Sequence, residues 1–343
     1  MHSDNTRESG QTLILFGLLI STLLMIVALV TDVGMMAVER RRIQNAADSA
    51  ALAGAHSLPG DPEGAITGAE YYAYANGVDA DELTLVDVTT TNETDDTVRV
   101  EITRSVGFGF AQVFGLKEGS VTVQAAALAG TVVGGSGIAP FAIEESVFAG
   151  LAQGDTTTLK YNASSPSTGN FLPLALDGTG SKEYEENIIN GSEQWLCAEG
   201  YETMNCPSIA STEPGNMVGA TKDSMQWIFA NTSFACDTYE EVFIVDPEDD
   251  RHEISAQCNR FSNPNTASYR LLLVPIIDSL CNGSCDVTVV GFALFFVESF
   301  TCGGGLGNSC DLVGKYAKAE GNISSLVGSF DPDSSIKSVL LIE

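Results

Sequence analysis

Eight cysteines carry the most definite chemistry in this 343-residue chain. They are Cys197, Cys206, Cys236, Cys258, Cys281, Cys285, Cys302 and Cys310, and none precedes Cys197. An even number gathered in the C-terminal part reads as a set of disulfides formed in an oxidising compartment. Zinc is the competing chemistry. Its ligands usually come as tight C-x2-4-C pairs completed by a second Cys or His pair. Only Cys281 and Cys285 have such a spacing, and His2, His56 and His252 lie far from them in sequence. Disulfides are therefore favoured. Neighbour pairing (Cys197–Cys206, Cys236–Cys258, Cys281–Cys285, Cys302–Cys310) is one choice among many that spacing allows.

Catalytic chemistry is hard to assemble from the remaining residues. An enzyme needs a nucleophile, a base and an oxyanion-stabilising group that converge. Only 3 histidines are present, and there is no phosphate loop, no G-x-S-x-G and no H-E-x-x-H. Asp177-Gly178-Thr179-Gly180-Ser181 faintly suggests an aspartic protease, but that chemistry needs two carboxylates sharing a proton, and neither the Asp-Thr-Gly order nor a second copy occurs. The segments Asp246 to Asp250 and Asp331-Pro332-Asp333-Ser334-Ser335 could offer oxygens to Ca²⁺; loop acidity explains them as well. No catalytic, cofactor or metal residue is assigned. A net charge of −29 excludes a broad basic surface for nucleic acid. It suits a water-facing domain, as do Asn-x-Ser/Thr sequons at Asn92, Asn162, Asn190, Asn231, Asn282 and Asn322.

The elements that position this chemistry begin with an anchor. Gly10 to Thr31 carries no charge and is mostly Leu, Ile, Val, Phe and Met. As a helix it spans about 33 Å, close to the ~30 Å hydrocarbon core of a bilayer. A signal peptide has a shorter apolar region, of about 7 to 15 residues. No Pro occurs before Pro59, so one helix is expected to run through Glu39-Arg40-Arg41-Arg42 to the Ala-rich stretch ending at Ala55. Asp32 is expected at the membrane exit, interfacial rather than buried, because a buried carboxylate there would need a partner. The Arg cluster favours a cytoplasmic C-terminal side by the positive-inside rule, but large domains translocate largely regardless of charge. The cysteines argue for the outside.

Beyond the anchor, the fold class is α+β. Asp61 is a good N-cap with Pro62 at the first helical position, which predicts a helix to about Asn76. Leu83 to Thr91 and Thr97 to Arg104 alternate apolar and polar residues and read as paired strands. A short helix over Phe108 to Phe114 and a strand over Val121 to Ala129 complete a small α+β unit. Thr131 to Gly137 reads as a flexible linker. The remainder is a mainly-β, barrel-like domain with a weak helical pattern only at Lys182 to Asn190. Leu271 to Ile277 and Val289 to Val297 are almost continuously apolar and should be central strands buried on both faces. The expected organisation is a short cytoplasmic tail (1–9), the spanning and extended helix (10–56), the small unit (57–130), the linker (131–137) and an extracytoplasmic domain (138–343).

The N-terminal residues carry a resemblance. Gly10-Gln11-Thr12 ahead of the apolar helix, then Asp32-Val33-Gly34, then Arg41-Arg42-Ile43-Gln44-Asn45-Ala46-Ala47-Asp48-Ser49-Ala50-Ala51-Leu52-Ala53-Gly54-Ala55 resemble the Tad domain of Flp pilus-assembly proteins, the TadE/TadG-like group. Ser49 stands where Ala is usual. A fainter resemblance to larger proteins of that kind runs through Gly169 to Gly178, Glu213 to Met217, Val274 to Ile277 and Gly291 to Phe296. Prepilin-type cleavage after Gly10 would leave Leu15 at the fifth position where Glu is common, so an uncleaved anchor is favoured. The resemblance implies other pilus-assembly proteins as partners, beside the bilayer that the apolar run requires; the absent motifs leave no cofactor and no catalysis expected.

Asp32, Gln44, Asn45, Ala47, Asp48, Ala50 and Ala51 form the candidate assembly face. Small side chains let helices approach closely, and Gln44 and Asp48 are i,i+4 neighbours. The alternative is that this stripe packs on the strands at 83–129 of its own chain. Two functions follow: a membrane-anchored extracytoplasmic component of a Flp/Tad-type pilus system, or a surface adhesin using the β domain.

Overall fold

α1 is one unbroken helix, Ser9–Ala55, in the computed structural model, which describes residues 9–160, 173–245, 252–261, 268–279, 284–303, 310–320, 325–329 and 334–342. The chain forms two units, one of Met1–Leu128 with Leu340–Glu343 and one of Ala129–Val339.

In the first unit, α1 is followed by α2 (Pro62–Ala75), capped by the Asp61 carboxylate accepting from the Gly64 N–H. β1 (Leu83–Thr89) and β2 (Thr97–Gly107) form an antiparallel hairpin. Its loop is held by the Asp96 carboxylate, which accepts from the N–H groups of Thr91, Asn92 and Glu93. A second hairpin joins β2 to β3 (Glu118–Gly135). Its tip contains the 3-10 turn Ala111–Phe114, shorter than the helix expected there. Val98, Val100 and Ile102 alternate inward from β2 and are buried.

The second unit starts with the last residues of β3. Thr131 to Gly135, expected as linker, are strand, paired with β7 (Leu196–Cys197) and with β15 (Ser325–Gly328). The glycine just before them reflects close approach, not freedom. At Gly130 a Cβ would lie 2.2 Å from the Gly328 carbonyl oxygen, which only glycine tolerates. The remaining elements in chain order are β4 (Ile143–Glu144), α3 (Glu145–Phe148), β5 (Thr156–Lys160), β6 (Leu174–Ala175), α4 (Ser181–Asn190), β8 (Ile209–Thr212), α5 (Val218–Asn231), α6 (Tyr239–Val242), β9 (Phe243–Val245), β10 (His252–Ile254), β11 (Leu271–Ile277), β12 (Asp286–Cys302), β13 (Cys310–Ala317), β14 (Ala319–Glu320) and β16 (Ile336–Leu341).

The central sheet runs β4-β11-β12-β13-β5, with β8 and then β6 joined to β12. β11 and β12 are antiparallel. Alternate residues of this pair feed two separate cores. Leu271, Leu273, Leu294 and Phe296 pack with Tyr239, Phe243 and Ile254. Leu272, Val274, Ala293 and Phe295 pack with Tyr184 and Ile188 of α4 and Met225 and Ile228 of α5. Double-sided burial makes both strands continuously apolar, as expected from the sequence. It also corrects the barrel expectation. Among the described residues the sheet stays open, ending at β4 and β5, because a sheet covered on both faces is the middle layer of a stack, not a wall around one interior.

Among the described residues three disulfides are complete: Cys197–Cys206 with Cα atoms 5.4 Å apart, Cys236–Cys258 at 5.6 Å and Cys302–Cys310 at 4.0 Å. The last joins register partners on β12 and β13. Cys285 is also disulfide-bonded; its expected partner Cys281 lies outside the described residues, as do the acidic run at 246–250 and residues 331–333 of the 331–335 segment. Asp177 is a loop anchor whose carboxylate accepts from the N–H groups of Glu193 and Gln194.

One buried cation sets a pH dependence. Lys160 is fully buried at the end of β5 and donates to the Asn216 backbone carbonyl and to its Oδ1. Burial pushes its ammonium down from 10.5 to about 8, against a smaller upward pull from Asp311. The folded value lies below the unfolded one, so between about 8 and 10.5 the unfolded chain binds the extra proton and stability rises with pH. Urea unfolding of the wild type and of Lys160→Met across that window should show the difference between them changing by up to about 3 kcal/mol in the wild type's favour as pH rises. A difference that stays flat would mean that the ammonium is solvated and charged in the fold.

Candidate functional site

The polar and small residues of α1 sit on one helix whose two halves meet different surroundings. From Leu13 to Val30 the large apolar side chains are exposed. The hydroxyls in that stretch turn back onto their own helix: Ser21 donates to the Gly17 carbonyl, Thr22 to Leu18 and Thr31 to Val27. No polar group there is left without a partner that an apolar surround would demand. By length and composition this is a helix that can cross a membrane.

From Ile43 onward the surroundings invert. Ile43, Ala47, Ala50, Ala51 and Ala55 are fully buried, as are Ala65, Ala69 and Ala73 of α2. The approach is close enough that a Cβ at Gly54 would meet the Ala65 carbonyl oxygen at 2.6 Å, the Ala69 Cβ at 3.0 Å and Val98 of β2 at 3.3 Å. The stripe thus faces its own α2 and β2. Gln44 donates from Nε2 to Asp48 Oδ1 at 2.8 Å, as the i,i+4 spacing predicts, and also to the Gln124 carbonyl at 2.9 Å. Asn45 is exposed, and Gln44 and Asp48 are half-buried. Of the seven residues of the candidate face, Ala47, Ala50 and Ala51 are enclosed; Asn45 and the rims of Gln44 and Asp48 stay accessible.

Asp32 is enclosed by its own chain, with 4% of its surface exposed. The partner that burial requires is the backbone of the β2–β3 hairpin tip. Its carboxylate accepts from Gly109 N–H at 2.8 Å, from Phe110 N–H at 3.2 Å and from Ala111 N–H at 2.7 Å. It caps the 3-10 turn from another element, with charge-assisted hydrogen bonds that are stronger than neutral ones. Sequence spacing could not reveal this, because the donors are backbone groups far along the chain.

A second tie lies further along α1. Arg104 grips Glu82 with two hydrogen bonds of 2.6 Å, donates to the Gly77 carbonyl at 2.7 Å and reaches Glu39 at 3.1 Å. The bidentate pair holds the Glu82 carboxyl below its ordinary value, chiefly through the Arg104 hydrogen bond. One residue therefore joins α1, the end of α2, the loop before β1 and β2. A signal for it exists in the sequence: positions 98, 100, 102 and 104 share a strand face, and an Arg continuing a Val-Val-Ile inward row needs an acidic partner.

Residues 10–57 match the family model described as Tad, putative Flp pilus-assembly TadE/G-like. No curated protein matches the chain, and no solved structure does. The match ends two residues after α1 does and covers the apolar run, Asp32 and the enclosed stripe.

The Asp32 cap gives a local prediction. Asp32→Asn keeps the side-chain shape but loses the charge and one acceptor, and should cost about 1–3 kcal/mol. Hydrogen exchange by mass spectrometry should show faster exchange at Gly109 to Ala111 with β2 residues 98–102 unchanged. Unaltered exchange at the tip would mean that the cap does not hold it.

Proposed function

We propose that the chain is a membrane-anchored component of a Flp/Tad-type pilus-assembly system, with a structural or assembly role and no catalytic step of its own. The observation that carries this reading is a coincidence along α1. The segment matching the pilus-assembly family is the same segment that is exposed and apolar in its first half and packed into a folded unit in its second. An anchor welded to a folded unit transmits position, which is what an assembly component needs.

The helix crosses the bilayer once, with its N-terminal side in the cytoplasm and everything after it outside. Three disulfides support an oxidising location for the second unit. Arg40 to Arg42 pull against this orientation, but the size of the translocated part outweighs them. Protease added to spheroplasts should digest the second unit; protection until lysis would reverse the orientation.

The partners are other pilus-assembly proteins, met through the accessible flank of α1: Asn45 with Gln44, Asp48 and Arg41. Ala47, Ala50 and Ala51 act by setting that flank in place, since their side chains are already enclosed. Asn45→Trp adds bulk on the exposed side and leaves the stripe intact, so the variant should insert and melt like the wild type. It should lose most of its copurification with pilus proteins. Normal copurification and normal pilus output would reduce this half of the helix to a packing element. Normal pili together with specific glycan binding by the full-length protein would favour the adhesin reading.

A further inference from the structure

We infer that the tip of the β2–β3 hairpin, Phe108 to Lys117, is a second membrane contact, inserting Phe110, Val113 and Leu116 into the bilayer interface from which α1 emerges. This rests on the reading that α1 crosses the membrane.

Position comes first. Arg104 meets Glu39 at 3.1 Å, and Gly109 meets Asp32 at 2.8 Å. The hairpin therefore runs alongside α1 toward its apolar half, and its tip lies about 10 Å nearer that half than the Glu39 level, at about 1.5 Å of helix rise per residue. The apolar surface of α1 does not stop at Thr31 either: Val33 is 56% and Val38 64% exposed. The charged cluster Glu39 to Arg42 then marks where the helix surface becomes polar, so the tip stands beside apolar helix.

Composition points the same way. Phe110 is 48%, Val113 83% and Leu116 59% exposed. Three large apolar side chains on a short surface turn are unfavourable in water. Lys117, exposed beside them, suits an anionic headgroup level.

The backbone is prepared for an apolar boundary, where unpaired N–H groups are costly. Gly109, Phe110 and Ala111 donate to Asp32. Phe108 donates to the Lys117 carbonyl, Val113 to Phe110, Gly115 to Gln112 and Leu116 to Ala111. The Gln112 side chain folds back onto the Phe108 carbonyl. Gly119 leaves room for the Phe108 ring against α1: a Cβ there would lie 2.7 Å from Phe108 Cζ and 3.2 Å from Met36 Cε. Continuity with the apolar helix surface selects lipid as the occupant.

The test uses full-length protein in bilayers containing lipids brominated either near the glycerol or deep in the acyl chain. Trp195 and Trp227 are replaced by Phe, and a single Trp is introduced by Val113→Trp or, as the control, by Leu19→Trp. The Val113→Trp protein should lose emission with the shallow bromine, and the Leu19→Trp protein with the deep one. Loss at Leu19→Trp without loss at Val113→Trp overturns the second contact and keeps the anchor. No loss at either position overturns the anchor reading itself. An unquenched but blue-shifted Val113→Trp signal, whether from a second copy or another protein surface, overturns lipid as the occupant.

Discussion

The approach of α1 to α2 through alanine and glycine is the constraint on which the first unit depends. A side chain at Gly54 would collide with the Ala65 carbonyl at 2.6 Å, so the two helices approach closely there, and Ala46, Ala47, Ala50 and Ala51 of α1 and Ala65, Ala69 and Ala73 of α2 are all buried. Small side chains contribute little hydrophobic area each, but they lose almost no rotamer freedom on burial and allow dense packing. The same stripe meets Val98, whose strand continues inward with Val100 and Ile102. An apolar helix standing alone is free to rotate and tilt. Here its continuation is fixed in azimuth by helix and sheet together.

Two polar ties convert that packing into alignment. Arg104 locks β2 to Glu39 and Glu82, and Asp32 locks the hairpin tip to α1. They lie at different heights on the helix, so the hairpin cannot pivot without breaking one of them. Each is a charged group with its valences filled by several donors or acceptors, which is the condition under which a shielded charge is retained without a large penalty. The second unit has a different economy. Its stability comes from a doubly covered sheet and from disulfides.

Much of this was legible in the sequence, and the unread parts have physical reasons. The uncharged run, the Asp61-Pro62 start of α2, the paired strands and the apolar β11 and β12 announced themselves because local pattern alone determines them. The partner of the alanine stripe did not, because a periodicity of small residues is the same for a contact within one chain or between two. The partners of Asp32 were not foreseen because they are backbone N–H groups with no sequence signature. α5 escaped because Gly219 and Thr221 weaken its pattern and Met217, at φ 45°, offers no side-chain cap. Thr131 to Gly135 looked like a linker because glycines paired within a sheet are indistinguishable, in sequence, from glycines that confer freedom. The barrel expectation failed because strand count does not say which faces are covered.

The most direct test of the account is hydrogen exchange of the full-length protein in lipid nanodiscs, comparing the amides of Ala46 to Ala55 in α1 with those of residues 98–102 in β2. If the small-residue contact makes α1 and the first unit one cooperative body, both sets should open together, with matching exchange free energies and the same response to denaturant. If Ala46 to Ala55 exchange freely while β2 stays protected, the helix is an anchor followed by a frayed extension, and the alignment proposed here does not exist.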